Sequence, residues 1–280
     1  MIAVFKLLSL LPLVVLRGLG LALGWKVWLA SSRYRRVHRG NWQTALSSGR
    51  LGIHDFATAG LYRASVGHGG LMVSELPKIW CDKKSVSRMK VTGLSAIDSA
   101  IASGRGVIIL TPHLGAFELA PRAFAQHHPI TVLYRPARQE SLRRLMDSLR
   151  PMPGLDTAPA TGAGVKKLLR ALKNGQAIGM LPDQVPSKGD GEWANFFGVP
   201  AYTMTLPIRL SQATGAPIFW ALAVRTSGGW ALDFQAWKPE VDLQTADLKQ
   251  SLDAMNRSLE EQIARAPEQY LWAYNRYKNP

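Results

Sequence analysis

Gly106-Val107-Ile108-Ile109-Leu110-Thr111-Pro112-His113-Leu114-Gly115-Ala116-Phe117-Glu118 is the stretch whose reading decides the fold. Its first half is a short apolar run rich in β-branched residues and bounded by Gly and Pro, the pattern of a buried strand. Upstream, Leu94, Ile97 and Ile101 recur at helical spacing, and Gly104 and Gly106 end that helix. Downstream, Leu114–Gln126 reads as a helix, Ile130–Tyr134 as a strand and Gln139–Leu149 as a helix. Val165–Lys173 is helical and Ala177–Leu181 is a strand, followed by a Gly- and Pro-rich loop through Pro200. A helix over Thr205–Ala213 comes next, then an antiparallel strand pair, Pro217–Arg225 and Trp230–Trp237, across Gly228-Gly229. Asp247–Ala264 closes the chain as a helix. This alternation predicts an α/β domain with a largely parallel central sheet flanked by helices.

Of the formal charge of +15, the first 50 residues supply +8, because they carry eight basic residues and no acid. At 47% hydrophobic and 19% charged, the chain is too apolar and too weakly charged to be disordered. A single cysteine, Cys81, excludes an intrachain disulfide and a multi-cysteine metal site, and fits a reducing compartment. The first 30 residues are the most apolar, but Lys6, Arg17 and Lys26 cut them into runs shorter than the ~20 residues of a transmembrane span. A secretory signal and a buried core helix are both compatible with the early lysine and the apolar run. Apolar character that continues to Ala30, Trp25 and Trp28 at a headgroup boundary, and the cluster Arg33, Arg35, Arg36, Arg39 favour a membrane-embedded or interfacial anchor helix. The expected organisation is residues 1–40 as hydrophobic anchor and basic collar, and residues 41–280 as the α/β domain.

His113 and Glu118 lie at the carboxyl end of the best-defined strand, where open α/β sheets bind ligands. Five residues apart, they do not share a face of one regular helix. With His113 in the turn and Glu118 one turn inside the helix, the carboxylate can reach back to the ring. It would then fix the tautomer and make the other nitrogen a general base. The plainer alternative is that His113 caps the helix and Glu118 pairs with Arg122.

The His113-x4-Glu118 pair, Val132-Leu-Tyr-Arg-Pro136, Leu181-Pro-Asp-Gln184 through Phe196-Phe-Gly-Val-Pro200, and Pro267-Glu-Gln-Tyr-Leu-Trp272 with Arg276 and Tyr277 resemble the bacterial lipid A biosynthesis acyltransferases. These are lauroyl and myristoyl transferases within the lysophospholipid acyltransferase superfamily. The resemblance covers nearly the whole chain. It implies a glycerol-3-phosphate acyltransferase-like fold and acyl transfer from acyl carrier protein to a hydroxyl of a lipid A precursor. It places that reaction at the cytoplasmic face of the cell inner membrane, with a His/acid pair and neither metal nor organic cofactor. A phospholipid, ornithine lipid or other glycolipid acceptor is the alternative within the superfamily.

For such chemistry, His113 abstracts the acceptor proton, Glu118 orients His113, and Arg135 stabilises the oxyanion or binds an acceptor phosphate. Arg135 follows a strand expected to neighbour the His113 strand; otherwise it is a surface arginine. Asp183 also follows a strand, and is read as binding the acceptor sugar, orienting Arg135 or capping a turn. Phe196 and Phe197 line an acyl channel or belong to the core. Arg209 and Arg276 bind phosphate or are salt-bridged surface residues. Asp190 and Glu192 read as a solvated loop, and His127-His128 as a helix-end cap. The basic composition alone suggests nucleic-acid binding, but no helix-turn-helix, zinc or RNP-type signature accompanies it. No nucleic-acid partner is expected.

Overall fold

Val107–Leu110 (β2) lies at the centre of a seven-stranded sheet with both faces covered, so all four of its side chains are buried. The computed structural model describes residues 2–53, 55–82, 84, 89–137 and 139–280. In chain order, helices α1 (Ile2–Leu8), α2 (Leu13–Ala30), α3 (Ser32–Ser47), α4 (Asp55–Ser74) and α5 (Leu76–Cys81) precede the sheet. The sheet strands and their helices are β1 (Lys90–Thr92), α6 (Leu94–Ala102), β2, α7 (Leu119–Phe124), β3 (Ile130–Tyr134), α8 (Glu140–Leu149), β4 (Leu155–Pro159), α9 (Gly162–Lys173) and β5 (Ala177–Met180). Then come a hairpin, β6 (Gly191–Phe196) and β7 (Val199–Met204), helix α10 (Leu206–Thr214), β8 (Ile218–Thr226), β9 (Gly229–Ala236) and α11 (Leu248–Ala264).

The strand order is β1-β9-β8-β2-β5-β3-β4, with every neighbouring pair parallel except β8–β9. The sheet is therefore mostly parallel and flanked by helices, as the alternation predicts. Successive strand residues face opposite ways. Ile108 and Leu110 join the core with Leu168, Leu172, Leu252 and Leu259. Val107 and Ile109 join the other core with Leu119, Phe124, Leu145 and Ile97.

Four strands differ from the sequence reading. β1 and β4 are edge strands; β1 is only three residues long, and β4 buries Ala158 alone, so neither registers as an apolar run. The expected loop before Pro200 contains the β6–β7 hairpin, a separate two-stranded sheet, whose turn holds Phe197 at φ +50°. The expected long helix from Leu114 is also shorter, because residues 114–118 are turns and a bridge to Tyr270 and α7 begins at Leu119. One difference in order governs the site. β5, not β3, lies beside β2, so Arg135 follows a strand once removed from His113.

The apolar amino terminus is two helices, broken at Ser9–Pro12. Among the described residues α2 alone is long and apolar enough to cross a membrane. It packs against α4 through Gly20, Gly24, Gly67 and Gly70, so closely that a Cβ on Gly70 would lie 2.0 Å from the Gly20 carbonyl oxygen. Arg17, which interrupts the apolar run, turns inward. It donates to Glu75 Oε1 at 2.7 Å and to the carbonyls of Thr226 and Gly229, both at 2.6 Å. Glu75 has no solvent exposure, and its second oxygen accepts from Arg225 Nε at 2.7 Å. α3 runs unbroken through residue 40. Beyond the basic collar, Asn41 donates to the carbonyls of Trp272 and Tyr274, and the Trp42 and Trp272 rings meet at 5.3 Å.

Candidate active site

Parallel register builds the site. Leu110 on β2 pairs with Met180 on β5, and His113 and Asp183 each stand three residues further along. They emerge side by side at the carboxyl edge. Asp183 is 2% exposed; Oδ1 lies 2.8 Å from His113 Nδ1, and Oδ2 accepts from the His113 backbone N–H at 2.7 Å. Burial pushes the Asp183 carboxyl up, but the His113 ring and the hydrogen bonds it receives outweigh that and hold it below the usual carboxylate range. Burial, with the charge of Asp183 nearby, raises the phenol of the buried Tyr270 well above its ordinary value.

The His113 loop is clamped from beneath. Leu271 N–H donates to the His113 carbonyl and Gly115 N–H to the Gln269 carbonyl, both at 3.0 Å; Ala116 N–H donates to Ala223 O at 2.8 Å. Gly115 has φ +61°, and a Cβ there would sit 2.1 Å from the Ala223 carbonyl oxygen, so the tight pass over β8 requires glycine. On the open side, Gln184 Nε2 lies 3.1 Å from His113 Nε2, and the Phe117 ring stacks obliquely at 4.8 Å.

Glu118 does not hold the imidazole. With no helix over residues 114–118, it stands at the N-cap of α7 and faces the end of α8. Arg150 Nη2 donates to Oε1 at 2.6 Å, Arg150 Nε to Oε2 at 3.0 Å, and Trp80 Nε1 to Oε2 at 3.2 Å. The plainer Glu118–Arg122 pairing is absent too, since Arg122 donates to the carbonyls of Arg150 and Trp80. Glu118 and Arg150, with Pro121 and Val132, belong to the walls of two adjoining cavities. The smaller, about 30 Å³, reaches Thr111 and Leu181, which precede His113 and Asp183 in the chain, and Phe117, whose ring meets His113. The larger, about 290 Å³, extends past Tyr134 to Met146 and Leu155.

The other expected residues divide. Arg135 and Arg209 line one cavity of about 430 Å³ with Asp190 and Thr161, and Arg135 also donates to Ser187 Oγ at 3.2 Å. Asp190 is exposed in the loop before β6, as expected, and also borders that cavity. Phe196 and Phe197 are core, packed on Tyr277 and Trp272 respectively. Arg276 is not at the surface: it is 2% exposed, donates to Tyr202 O and Thr203 Oγ1 at 2.8 Å, and lies over Phe196. Burial lowers its pKa from the ordinary guanidinium value. His128 bonds Asp98 at 2.6 Å, a partner 30 residues away.

Sequence reasoning missed the pairing of His113 with Asp183 and the parts played by Gln184, Tyr270, Trp80 and Arg150. The equal three-residue offset from two strands was the available signal for the first; it needed the sheet order to be used. Arg150 lies 32 residues from Glu118, a spacing with no local signature.

The fold and site define an α/β protein in which a carboxylate-oriented histidine sits at the carboxyl edge of the sheet beside an apolar cavity. The chain belongs to the bacterial lipid A biosynthesis acyltransferase family, whose model matches residues 1–279. It is 29% identical over 209 residues to the lipid A biosynthesis palmitoleoyltransferase of Escherichia coli K12, covering 71% of this chain and 64% of that protein. It is 26% identical over 212 residues to the lipid A biosynthesis lauroyltransferase of the same organism, covering 75% and 68%. The phosphatidylinositol mannoside acyltransferase of Mycobacterium tuberculosis H37Rv is 25% identical over 181 residues, covering 63% and 56%. The chain thus spans just under two thirds of the length of the first of these relatives.

Proposed function

We propose that this chain is a membrane-associated O-acyltransferase that moves a fatty acyl chain from a carrier thioester to a hydroxyl of a lipid A precursor or related glycolipid. The observation that carries the reading is the Asp183–His113 pair beside the apolar cavity. Asp183 on Nδ1 keeps the proton on that nitrogen and leaves the Nε2 lone pair as base. Nε2 takes the acceptor hydroxyl proton as the oxygen attacks the acyl carbonyl. Collapse of the tetrahedral intermediate breaks the C–S bond, and the imidazolium returns its proton to the leaving thiolate. The cavity beyond Phe117 suits the acyl chain, with the Glu118–Arg150 ion pair as its polar neck. Arg135 and Arg209, sharing a cavity with Asp190, suit a phosphorylated sugar: guanidinium for phosphate, carboxylate for hydroxyl.

The donor in this reading is acyl carrier protein, and the enzyme works at the cytoplasmic face of the inner membrane. α2 and the basic collar meet the bilayer. The test is transfer of labelled acyl chain from the carrier to a lipid A precursor by purified protein; wild-type turnover by His113→Ala would overturn the mechanism. A different glycolipid acceptor is favoured by the mannoside acyltransferase relative. Lipid mass spectrometry of a deletion strain separates the two: lipid A lacking one acyl chain supports the first, and unchanged lipid A the second.

A further inference from the structure

Both nitrogens of the His113 ring are engaged by consecutive residues. Asp183 holds Nδ1 at 2.8 Å and Gln184 Nε2 lies 3.1 Å from ring Nε2. A neutral imidazole whose Nδ1–H points at a carboxylate has its lone pair on Nε2, so the Gln184 amide must present an N–H to it. Among the described residues, the Gln184 side chain has no other hydrogen-bond partner. Its backbone is fixed: Asp183 is buried on one side, and on the other Val185 is buried and donates its N–H to the Tyr274 hydroxyl at 2.9 Å. The side chain can leave the ring by rotation alone, without moving the chain that carries Asp183.

We infer that Gln184 is a positioning residue that covers the base in the empty site and yields it to the acceptor hydroxyl. This inference rests on the acyltransferase reading above. The lone pair that must take the acceptor proton is the one the amide occupies, so the two cannot hold it together. Any oxygen nucleophile must displace the amide and forfeit its hydrogen bond. A large acceptor offsets that loss with contacts elsewhere; a water molecule has none. The side reaction being suppressed is thioester hydrolysis. In it, water oxygen attacks the acyl carbonyl, the C–S bond breaks, His113 passes the water proton to the leaving thiolate, and the products are a free fatty acid and a thiol. One net hydrogen bond sets the scale of the discrimination, about three- to tenfold.

The experiment compares wild type with Gln184→Ala on a labelled acyl–carrier thioester, measuring fatty acid released without acceptor and acyl transfer with it. The expected result is an increase of about three- to tenfold in the ratio of hydrolysis to transfer. Gln184→Glu, nearly isosteric, provides a second variant. Its carboxylate accepts a proton-bearing Nε2 and favours imidazolium, so the acid limb of the rate–pH profile moves to higher pH and transfer recovers in alkali. An unchanged ratio in Gln184→Ala, or an unmoved acid limb in Gln184→Glu, overturns the inference while leaving the acyltransferase reading intact. A wild-type protein that neither transfers nor hydrolyses the thioester overturns the reading itself, and the inference with it.

Discussion

Glu118 engages Arg150 with both carboxylate oxygens, at 2.6 and 3.0 Å, and no hydrogen bond joins it to the His113 ring five residues before it. The acid of the His-x4-Glu pattern and the acid that orients the histidine are thus different residues. Glu118 lines an apolar cavity; Asp183, brought in by the neighbouring strand, grips the His113 ring. The two carboxylates are therefore expected to fail in different ways when altered.

Asp183→Asn keeps the shape but removes the charge, and its amide can hold the ring in the wrong tautomer. The expected effect is a loss in kcat of about a thousandfold or more with KM little changed, measured by acyl transfer under saturating donor. A loss confined to KM would show that Asp183 meets substrate rather than the base.

Glu118→Gln leaves the base untouched but frees Arg150 in the neck of the cavity. Activity should fall without movement of the acid limb of the kcat/KM profile. The double variant with Arg150→Gln should lose less than the sum of the two singles, a coupling of about 1–3 kcal/mol. An acid limb displaced by Glu118→Gln alone would put the carboxylate back on His113.

Glu75 joins Arg17 of α2 to Arg225 of β8 with no solvent exposure. Removing one member of a buried ion network leaves charge uncompensated, at about 3–5 kcal/mol. Glu75→Ala should lower the unfolding midpoint in detergent by several degrees, and far more than Glu240→Ala, whose partner Arg257 pairs with it at the surface.

His38 is buried against Ser65, and burial lowers its pKa to about 4. In the unfolded chain it takes a proton near 6.5, so between pH 6.5 and 4 the unfolded state binds the extra proton. The stability contributed by the neutral ring is present above pH 6.5 and is lost as pH falls to about 4, at most about 3 kcal/mol. His38→Leu should flatten the dependence of the unfolding free energy on pH across that window. Equal slopes in the two proteins would remove His38 from the account.

The alternation of apolar runs and helical periodicities was enough to read the α/β class, the mostly parallel sheet and the strand that leads to His113. Strand order was not legible, because chain order does not dictate which parallel strand lies beside which. β5 lies between β2 and β3, and that single fact moves Asp183 to His113 and Arg135 away from it. Local composition misled at the β6–β7 hairpin, where Gly and Pro mark a turn and an edge rather than a loop. Arg276 read as a surface cation because charge is usually solvated. Its burial depends on carbonyl and hydroxyl acceptors from β7, which no spacing near residue 276 announces.

Hydropathy ranks α2 as an apolar rod, yet one side of that rod is a fitted part of the globular body. Its Gly20–Gly24 face lies against α4, and Arg17 closes the ionic contact under the β8–β9 turn. Cutting the chain after residue 30 to obtain a more tractable protein would remove one of the two arginine partners of Glu75 and open the α4 surface to water. The greasy end of this molecule is not a detachable handle, and the body it packs against keeps these ionic and helical contacts only while that end is attached.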